Sequence, residues 1–495
     1  MASTNNLKMI AGRETTAGTV VARSHVLPMR SISDLDTQVT QEVDPAIVGA
    51  NMATGLYLMS KNSGGSVPLT PRPCPGYVDM INSLLGGSVT AQQVGGCLKF
   101  KYTGSEVSAK ISASASGDTL TSEVGAKGSE SGDTNFGTAG VVDLTGASYD
   151  TLAELVAYIN GLSDYSAEKV MGDDDLDTAS IIDITSKQGK DTWVYVWFSS
   201  AASGVYLYEF ETVLTDTERP TLSIQYDGRV KNDVYSGCMV NSHSLSGSLQ
   251  GMVEGDAAII GFKEYTYVQT PGTTANTDAT VTGVDTRVLI AGMQVTGTGI
   301  PADTTIDSIT TIAEDGELEL SANATAAGTV TLTFTVPDSS EDLEDVDPMI
   351  FYKGSTHIGG AEYTYISSFS LDVTNNGKED GYGQGSVERL YHNKGEFAAT
   401  GQVQLRLDAT SHAERAKVYS GDQLAIDMAF EGQDLGSSLK EFALIEMPYC
   451  QLTNAPRIDN GGQLDIQLDF QAINPKGTNY NSPFKMSFVL NEDIS

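Results

Sequence analysis

The chain has 495 residues, of which 51 are glycine and only 19% are charged, a composition typical of many short strands and turns. Its 64 acidic and 29 basic residues leave a net charge of −35. This balance argues against ordinary nucleic-acid binding and against docking on an anionic membrane, because both need a basic surface. The composition predicts a mainly β protein whose acidity either keeps it soluble or repels phosphate.

The four cysteines, Cys74, Cys97, Cys238 and Cys450, are far apart and form no C-x-x-C pair, so buried free thiols are predicted. The N-terminus lacks a hydrophobic segment of signal-peptide length. No stretch approaches the ~18 apolar residues of a membrane-spanning helix. We therefore expect a soluble protein that is made in the cytoplasm.

The first 104 residues begin with an extended polar segment, in which Gln38 to Leu58 fit an arm or a long hairpin. The clearest early helix spans residues 75–85, because its apolar residues fall on one face and Gly86 follows it. Cys97 to Tyr102 then alternates as a strand.

Two segments differ in composition from the rest and are predicted to be inserts. Residues 105–190 contain a helical stripe that a Thr151 capping box opens, which indicates a small α/β module. Residues 269–340 are rich in Thr and Gly and are predicted to form a small all-β module. The remaining parts, 1–104, 191–268 and 341–495, are predicted to form one body. Within 191–268, separate strands are expected at 238–243 and 245–249.

The stretch from Ser367 to Leu407 contains two alternating strands joined by a loop of about twenty residues, several times the usual connection length. A loop this long is usually functional, and this one has no catalytic pattern, so contact with another molecule is predicted. The residues proposed for that contact are Asn375, Asn376, Tyr382, Tyr391 and Lys394.

After this stretch, Ser411 and Glu414 form a capping box that opens a short helix ending near Gly421. Three alternating strands, starting at Leu424, Leu464 and Phe484, close the chain. In the second of them Leu464, Ile466, Leu468 and Phe470 form the apolar face, and Asp465, Gln467 and Asp469 lie on the opposite face.

No catalytic or metal-binding pattern is found. The acidic run Asp173 to Asp177 has carboxylates at calcium-loop spacing, but Thr178 stands where that loop needs glycine and Ile184 where it needs glutamate. The five histidines share no metal-ligand spacing, and nucleophile, zinc-protease and phosphate-loop motifs are missing. We predict that the protein is not an enzyme and uses no cofactor or metal.

Four short motifs, in this order, resemble those of phage tail tube proteins from phages with long, flexible, non-contractile tails. They are Ala11–Thr19, Leu84–Gly86, Tyr235–Ser242 with Leu245–Leu249, and Ser368–Asn376. The resemblance implies a β-sandwich flanked by a helix, whose strands join those of neighbouring subunits in one inner β-barrel. In that family, hexameric rings stack into a channel for the genome; three chains would make a ring if the fold is internally duplicated.

With this resemblance, the chain is expected to be a virion tail component, assembled in the host cytoplasm, that contacts other tail proteins at the tube ends. DNA would pass through without specific binding. The loop from Asn375 to Gly395 would reach the adjoining ring, and Asp465, Gln467 and Asp469 would face the lumen. The alternative is a β-rich virion adhesin, a receptor-binding protein or a decoration protein.

Overall fold

A computed structural model describes residues 7–43, 56–201, 203–213, 219–228, 231–393, 395–474 and 482–494. Strands make up 52% and helices 9% of the structure, so the predicted mainly β fold is confirmed. The four cysteines are buried free thiols, as predicted.

The strands follow one another closely along the chain. The first are β1 (Lys8–Arg13), β2 (His25–Val26), β3 (Asp36–Val43), β4 (Leu56–Leu69), β5 (Gln92–Gln93), β6 (Gly96–Tyr102), β7 (Ser108–Ser114), β8 (Thr119–Ala126), β9 (Ser129–Gly132), β10 (Val141–Asp143), β11 (Tyr165–Gly172) and β12 (Ile184–Gln188). The next are β13 (Val194–Phe198), β14 (Tyr206–Glu211), β15 (Leu222–Asp227), β16 (Asn232–Ser248), β17 (Glu254–Gly261), β18 (Lys263–Tyr265), β19 (Val268–Thr274), β20 (Thr280–Val284), β21 (Gln294–Thr296), β22 (Ile306–Thr311), β23 (Gly316–Leu320) and β24 (Gly328–Thr335). The last are β25 (Gly354–Ile358), β26 (Ala361–Glu362), β27 (Ile366–Thr374), β28 (Ala398–Arg406), β29 (Gln423–Gly436), β30 (Leu439–Asn454), β31 (Arg457–Asn460), β32 (Gln463–Ala472) and β33 (Lys485–Leu490). The α-helices are α1 (Pro75–Leu85), α2 (Leu152–Asn160) and α3 (Ala409–Ser420).

The body is one curled antiparallel sheet. Two of its long strands, β16 and β30, change their pairing partners along their length. The start of β16 pairs with β15 and its end with β17 and β27. Likewise, β30 pairs with β29 along most of its length, with β33 along its first half and with β32 at its end. Register shifts interrupt the pairing in both strands, as expected where a strand bends between two sheets.

The helix predicted at residues 75–85 is confirmed as α1, which packs against the curled sheet. Every residue of α1 is buried, Pro75 occupies its first turn, and Gly86 ends it with φ at +87°. Tyr77 packs edge-on against Phe488 of β33, and its hydroxyl lies 2.9 Å from His243 Nε2 of β16. The helix thus fills the space between strands that are far apart in sequence.

The first predicted insert packs in layers on the body. Strands β7, β8, β9, β10 and β12 form a sheet that shares one core with α2 and the inner face of the three-stranded sheet β11-β6-β13. Thr151 accepts a hydrogen bond from the Glu154 backbone, which is one of the two bonds of the predicted capping box. The other face of β6 and β13 packs, through Trp193, Tyr195 and Trp197, on β29, β30 and β33.

The second predicted insert contains a six-stranded sheet, ordered β21-β24-β19-β20-β23-β22, around an apolar core of its own. Val234 of the body joins that core. Asn232 and Gln225 donate hydrogen bonds to the Val336 and Pro337 carbonyls where the chain returns to the body. The predicted division of the chain into five segments stays a prediction.

Several local predictions need correction. The two strands predicted at 238–243 and 245–249 are the single strand β16, because Ser244 stays in register with both neighbours. Helix α3 is capped by Asp408 and Ser411, one turn before the predicted Ser411–Glu414 pair. Leu464 is 52% exposed, because it lies at the start of β32, before the strand enters the core.

Candidate assembly and channel surfaces

One continuous part of the body sheet is formed by β4, β17, β16, β27, β28 and β32, in that order. Residues alternate between the two faces of this sheet, as the period of a strand requires. Leu245, Leu371, Val403 and Leu468 point to the buried core. The predicted hairpin of two amphipathic strands is confirmed as β27 and β28, which pair along their whole length.

The opposite face is covered by small or uncharged polar side chains and by carboxylates. In one cross-strand row, Asp256 pairs with Ser244, Ser244 with Asp372, and Asp372 with Thr400. We call the polar sheet face the following set: Ser242, Ser244, Ser246, Glu254, Asp256, Ser370, Asp372, Thr374, Thr400, Gln402, Gln404, Gln467, Asp469 and Gln471. At the end of β28, Arg406 alternates with Gln402 and Gln404 onto the same face, and Arg30 lies 2.6 Å from Glu254 and 3.8 Å from Asp256. The set itself contains four carboxylates, so acidic side chains outnumber basic ones on this face.

Two of the three residues predicted to face a lumen belong to the polar sheet face. Gln467 and Asp469 are half-buried, and Gln467 Nε2 donates a hydrogen bond to Asp469 Oδ1 at 2.6 Å. Asp465 is only 4% exposed, since Gln404 Nε2 donates to its Oδ2 at 2.8 Å. In the single chain, its carboxylate lies beneath the surface instead of on it.

Strands β3 and β4 continue beyond the body sheet as a two-stranded ribbon. Gly261, the last residue of β17, pairs with Ser63, so residues 56–62 of β4 have β3 as their sheet neighbour. The long hairpin predicted for this segment is confirmed over residues 36–43 and 56–63, and we call this part the projecting hairpin. Its tip lies outside the described residues.

The projecting hairpin exposes apolar side chains on both faces, among the polar residues that make up most of β3. Leu56 and Tyr57 are 63% and 60% exposed, respectively. Val39, Val43 and Met59 are each about half exposed. Exposed apolar side chains beside a free edge strand normally mark a site of association with another chain.

The predicted contact loop folds back onto its own chain beside the projecting hairpin. Asn375 is buried, and its side chain donates to the Leu84 carbonyl at 2.8 Å. Asn376 is exposed with φ at +46°, and the Tyr382 hydroxyl donates to the Lys61 carbonyl at 3.1 Å. Tyr391 is 49% exposed. The predicted contact residue Lys394 lies outside the described residues.

The opposite end of the body sheet carries a second exposed apolar group. Its members, which come from three connecting segments and the start of β32, are Leu249, Met252, Tyr352, Tyr365 and Leu464. The projecting hairpin leaves the sheet at one end of β4, whereas these residues lie at the other end of the same set of strands. The molecule therefore presents apolar surface at both ends of the sheet.

The comparisons with known proteins point to one family. Residues 279–472 match the family model of the phage tail tube protein. The match covers less than half of the chain; it begins inside the second predicted insert and includes β27, β28 and β32 of the polar sheet face. No curated protein matches the chain. The matched family is structural and is not a family of enzymes.

Among the described residues, none of the helices has the length and apolar character needed to span a bilayer. The same residues contain no group of three or more His, Cys, Asp or Glu side chains positioned to hold a metal ion.

Proposed function

We propose that this chain is the subunit of the tail tube of a phage with a long non-contractile tail. Subunits would polymerise into stacked rings that enclose the channel for DNA ejection. The observation that carries the proposal is the polar sheet face, a broad sheet surface on which carboxylates outnumber basic side chains. Three of its strands, β27, β28 and β32, lie in the segment that matches the tail tube family.

The sheet of the body has a free edge at which a neighbouring subunit could pair. Within one chain, β3 is an edge strand, and an exposed edge invites pairing with another chain. Ring closure would remove these edges by joining neighbouring sheets into one barrel. The buried faces would then point outward to the rest of each subunit, and the polar sheet faces, including Gln467 and Asp469, would line the lumen.

An acidic lining suits the passage of DNA. Two like unit charges ~10 Å apart in water repel by only ~0.4 kcal/mol before screening, and the Debye length at physiological salt is ~8 Å. Such repulsion prevents phosphate from binding to the wall. Ring formation still proceeds, since obligate interfaces bury over ~2,000 Å² of surface.

Stacking of rings is assigned to the ends of the sheet. The projecting hairpin and the exposed Leu390 and Tyr391 of the contact loop lie at one end, so both are proposed to meet the next ring. Hexameric rings, a location in the virion tail, assembly in the host cytoplasm and contact with other tail proteins at the tube ends belong to the same proposal.

Charge reversal on the polar sheet face tests the channel assignment. We expect the Asp372→Lys/Asp469→Lys double variant to form tubes that retain DNA at low salt and release it as salt rises, because lysines in the lumen bind phosphate. The matched control is Asp307→Lys/Asp315→Lys, which makes the same charge change at exposed positions of the second insert.

Electron microscopy of the purified protein decides first whether hollow tubes or rings form. DNA retention is then measured in open-ended tubes as a function of salt concentration. Equal retention by the two double variants would place the polar sheet face outside the channel. A protein that never forms rings or tubes would overturn the tail tube proposal itself.

A further inference from the structure

Part of the contact loop crosses the point where the projecting hairpin leaves the body. We call residues 379–392 the strap. The Lys61 backbone N–H donates to the Val387 carbonyl at 2.7 Å, and the Tyr382 hydroxyl donates to the Lys61 carbonyl at 3.1 Å. The Asn62 side chain donates to Glu379 Oε2 at 2.6 Å. The strap thus holds two consecutive residues of β4 at their exit from the sheet.

Arg389 lies at the centre of this contact. It is only 2% exposed, although it is a charged residue. Its Nη2 donates to Asn62 Oδ1 at 2.7 Å, and its Nη1 donates to the Gly261 carbonyl at 3.3 Å. The guanidinium therefore joins the last residue of β17 to the first residue of β4 beyond the body sheet.

The remaining contacts attach the strap to the body on the other side. The His392 ring stacks on Phe262 with 4.4 Å between ring centroids, and its Nε2 lies 2.6 Å from the Gly237 carbonyl oxygen. Lys263 Nζ lies 3.2 Å from Glu388 Oε2. The strap is thus anchored to β16–β18, so the position of these strands determines where the strap holds the hairpin.

The buried position of Arg389 is poorly explained by a contribution to the free energy of unfolding alone. Its nearest carboxylate, Glu379 Oε2, is 3.8 Å away on a half-exposed side chain, and its Nε has no hydrogen-bond partner among the described residues. Desolvating a guanidinium with so weak an ionic partner costs free energy. A rigid fork of donors, in contrast, sets the relative position of the groups it binds.

We propose that Arg389 is a positioning residue that fixes the direction of the projecting hairpin. An isolated two-stranded ribbon is marginally stable in water, and residues 56–62 have lost the support of β17. The fork of Arg389 restores a connection between that ribbon and the sheet. This inference rests on the proposed function, because it gives the hairpin its orientation for contact with another subunit.

Hydrogen exchange of the full-length free subunit tests the proposal. In Arg389→Lys, which keeps the charge and loses the fork, we expect amides of 38–43 and 56–62 to exchange at least tenfold faster. Amides of β16 should keep their rates, and tube assembly should slow.

Tyr382→Phe, which removes only the hydroxyl that binds Lys61, should show a smaller effect in the same segments. Arg287→Lys, in an exposed ion pair with Asp285, is the control.

The outcomes separate the two proposals. Unchanged exchange in 38–43 and 56–62, in both strap variants, overturns the role of Arg389 whatever the assembly result. Faster exchange throughout the body would also overturn it, since Arg389 would then be a general stabilising residue. If the variants exchange faster only in the hairpin while the parent protein forms no tubes, that result would support the role of the strap and reject the tail tube function.

Discussion

At the scale of single residues, Glu14 explains part of the N-terminal motif that resembles tail tube proteins. Its buried carboxylate accepts hydrogen bonds from the Gly18 and Gly237 backbones and from the hydroxyls of Thr221 and Ser223, at 2.7–3.0 Å. A carboxylate with several acceptor positions can satisfy all these donors at once. The motif therefore ties the first strand to β15 and β16.

A second residue, Glu344, is expected to make the stability of the protein depend on pH. Burial, and after it the neighbouring Glu492 and Glu441 carboxylates, raise the pKa of Glu344 to about 8. The folded state thus holds a proton that the unfolded chain releases. This contribution to stability is complete below the ordinary pKa of a glutamate and is lost as the pH rises through about 8.

Glu344→Gln mimics the protonated carboxyl and should remove this dependence. We expect the variant and the parent to have similar melting temperatures at pH 4.5, and the variant to melt at a higher temperature at pH 8.5. Thermal unfolding at both pH values measures the difference. A parent protein whose melting temperature falls no faster with pH than that of the variant would contradict the assignment.

At the scale of elements, the projecting hairpin is the part of the body least supported by its own chain. Replacing Leu56, Tyr57, Leu58 and Met59 by serine should leave the subunit folded and abolish tube formation. The reason is that burial of each large apolar side chain in an interface contributes ~1.5–3 kcal/mol. Sedimentation and electron microscopy measure assembly, and circular dichroism measures folding.

The control for that variant is Val107→Ser/Ile312→Ser, which removes exposed apolar side chains from the two predicted inserts. It should assemble like the parent. Normal tubes from the hairpin variant would mean that subunits associate through other surfaces, such as the apolar end that includes Leu249 and Tyr365.

At the scale of the whole molecule, the two predicted inserts are attached differently. The first shares cores with the body through β6, β13 and β30, whereas the second has a core of its own that Val234 joins. We therefore expect deletion of 269–340, with a short glycine linker, to leave tube assembly intact. The family match begins at residue 279, so this deletion is a demanding test.

Assembly of the deletion variant is measured by electron microscopy beside the parent. A variant that is folded by circular dichroism and fails to form any ring would assign the segment to the contact between subunits. The division of the chain into a body and two inserts would then be wrong.

The sequence by itself determined the elements whose signals are local. Helices α1 and α2 follow from apolar spacing and their first and last residues, and β27, β28 and β32 follow from alternation. Alternation also placed Gln467 and Asp469 on a polar face. These features depend on residues that are only a few positions apart, so a single short stretch of sequence contains the whole signal.

Tertiary structure alone decided the rest. Strand β30 was not predicted, because its faces pack against two different cores, with Ile445 in one and Leu444 in the other, so it does not alternate. Asp465 is buried because Gln404 of β28 covers it, and Arg389 is buried because β4 and β17 meet beneath the strap. Each of these outcomes depends on partners far away in the chain, which no local pattern encodes.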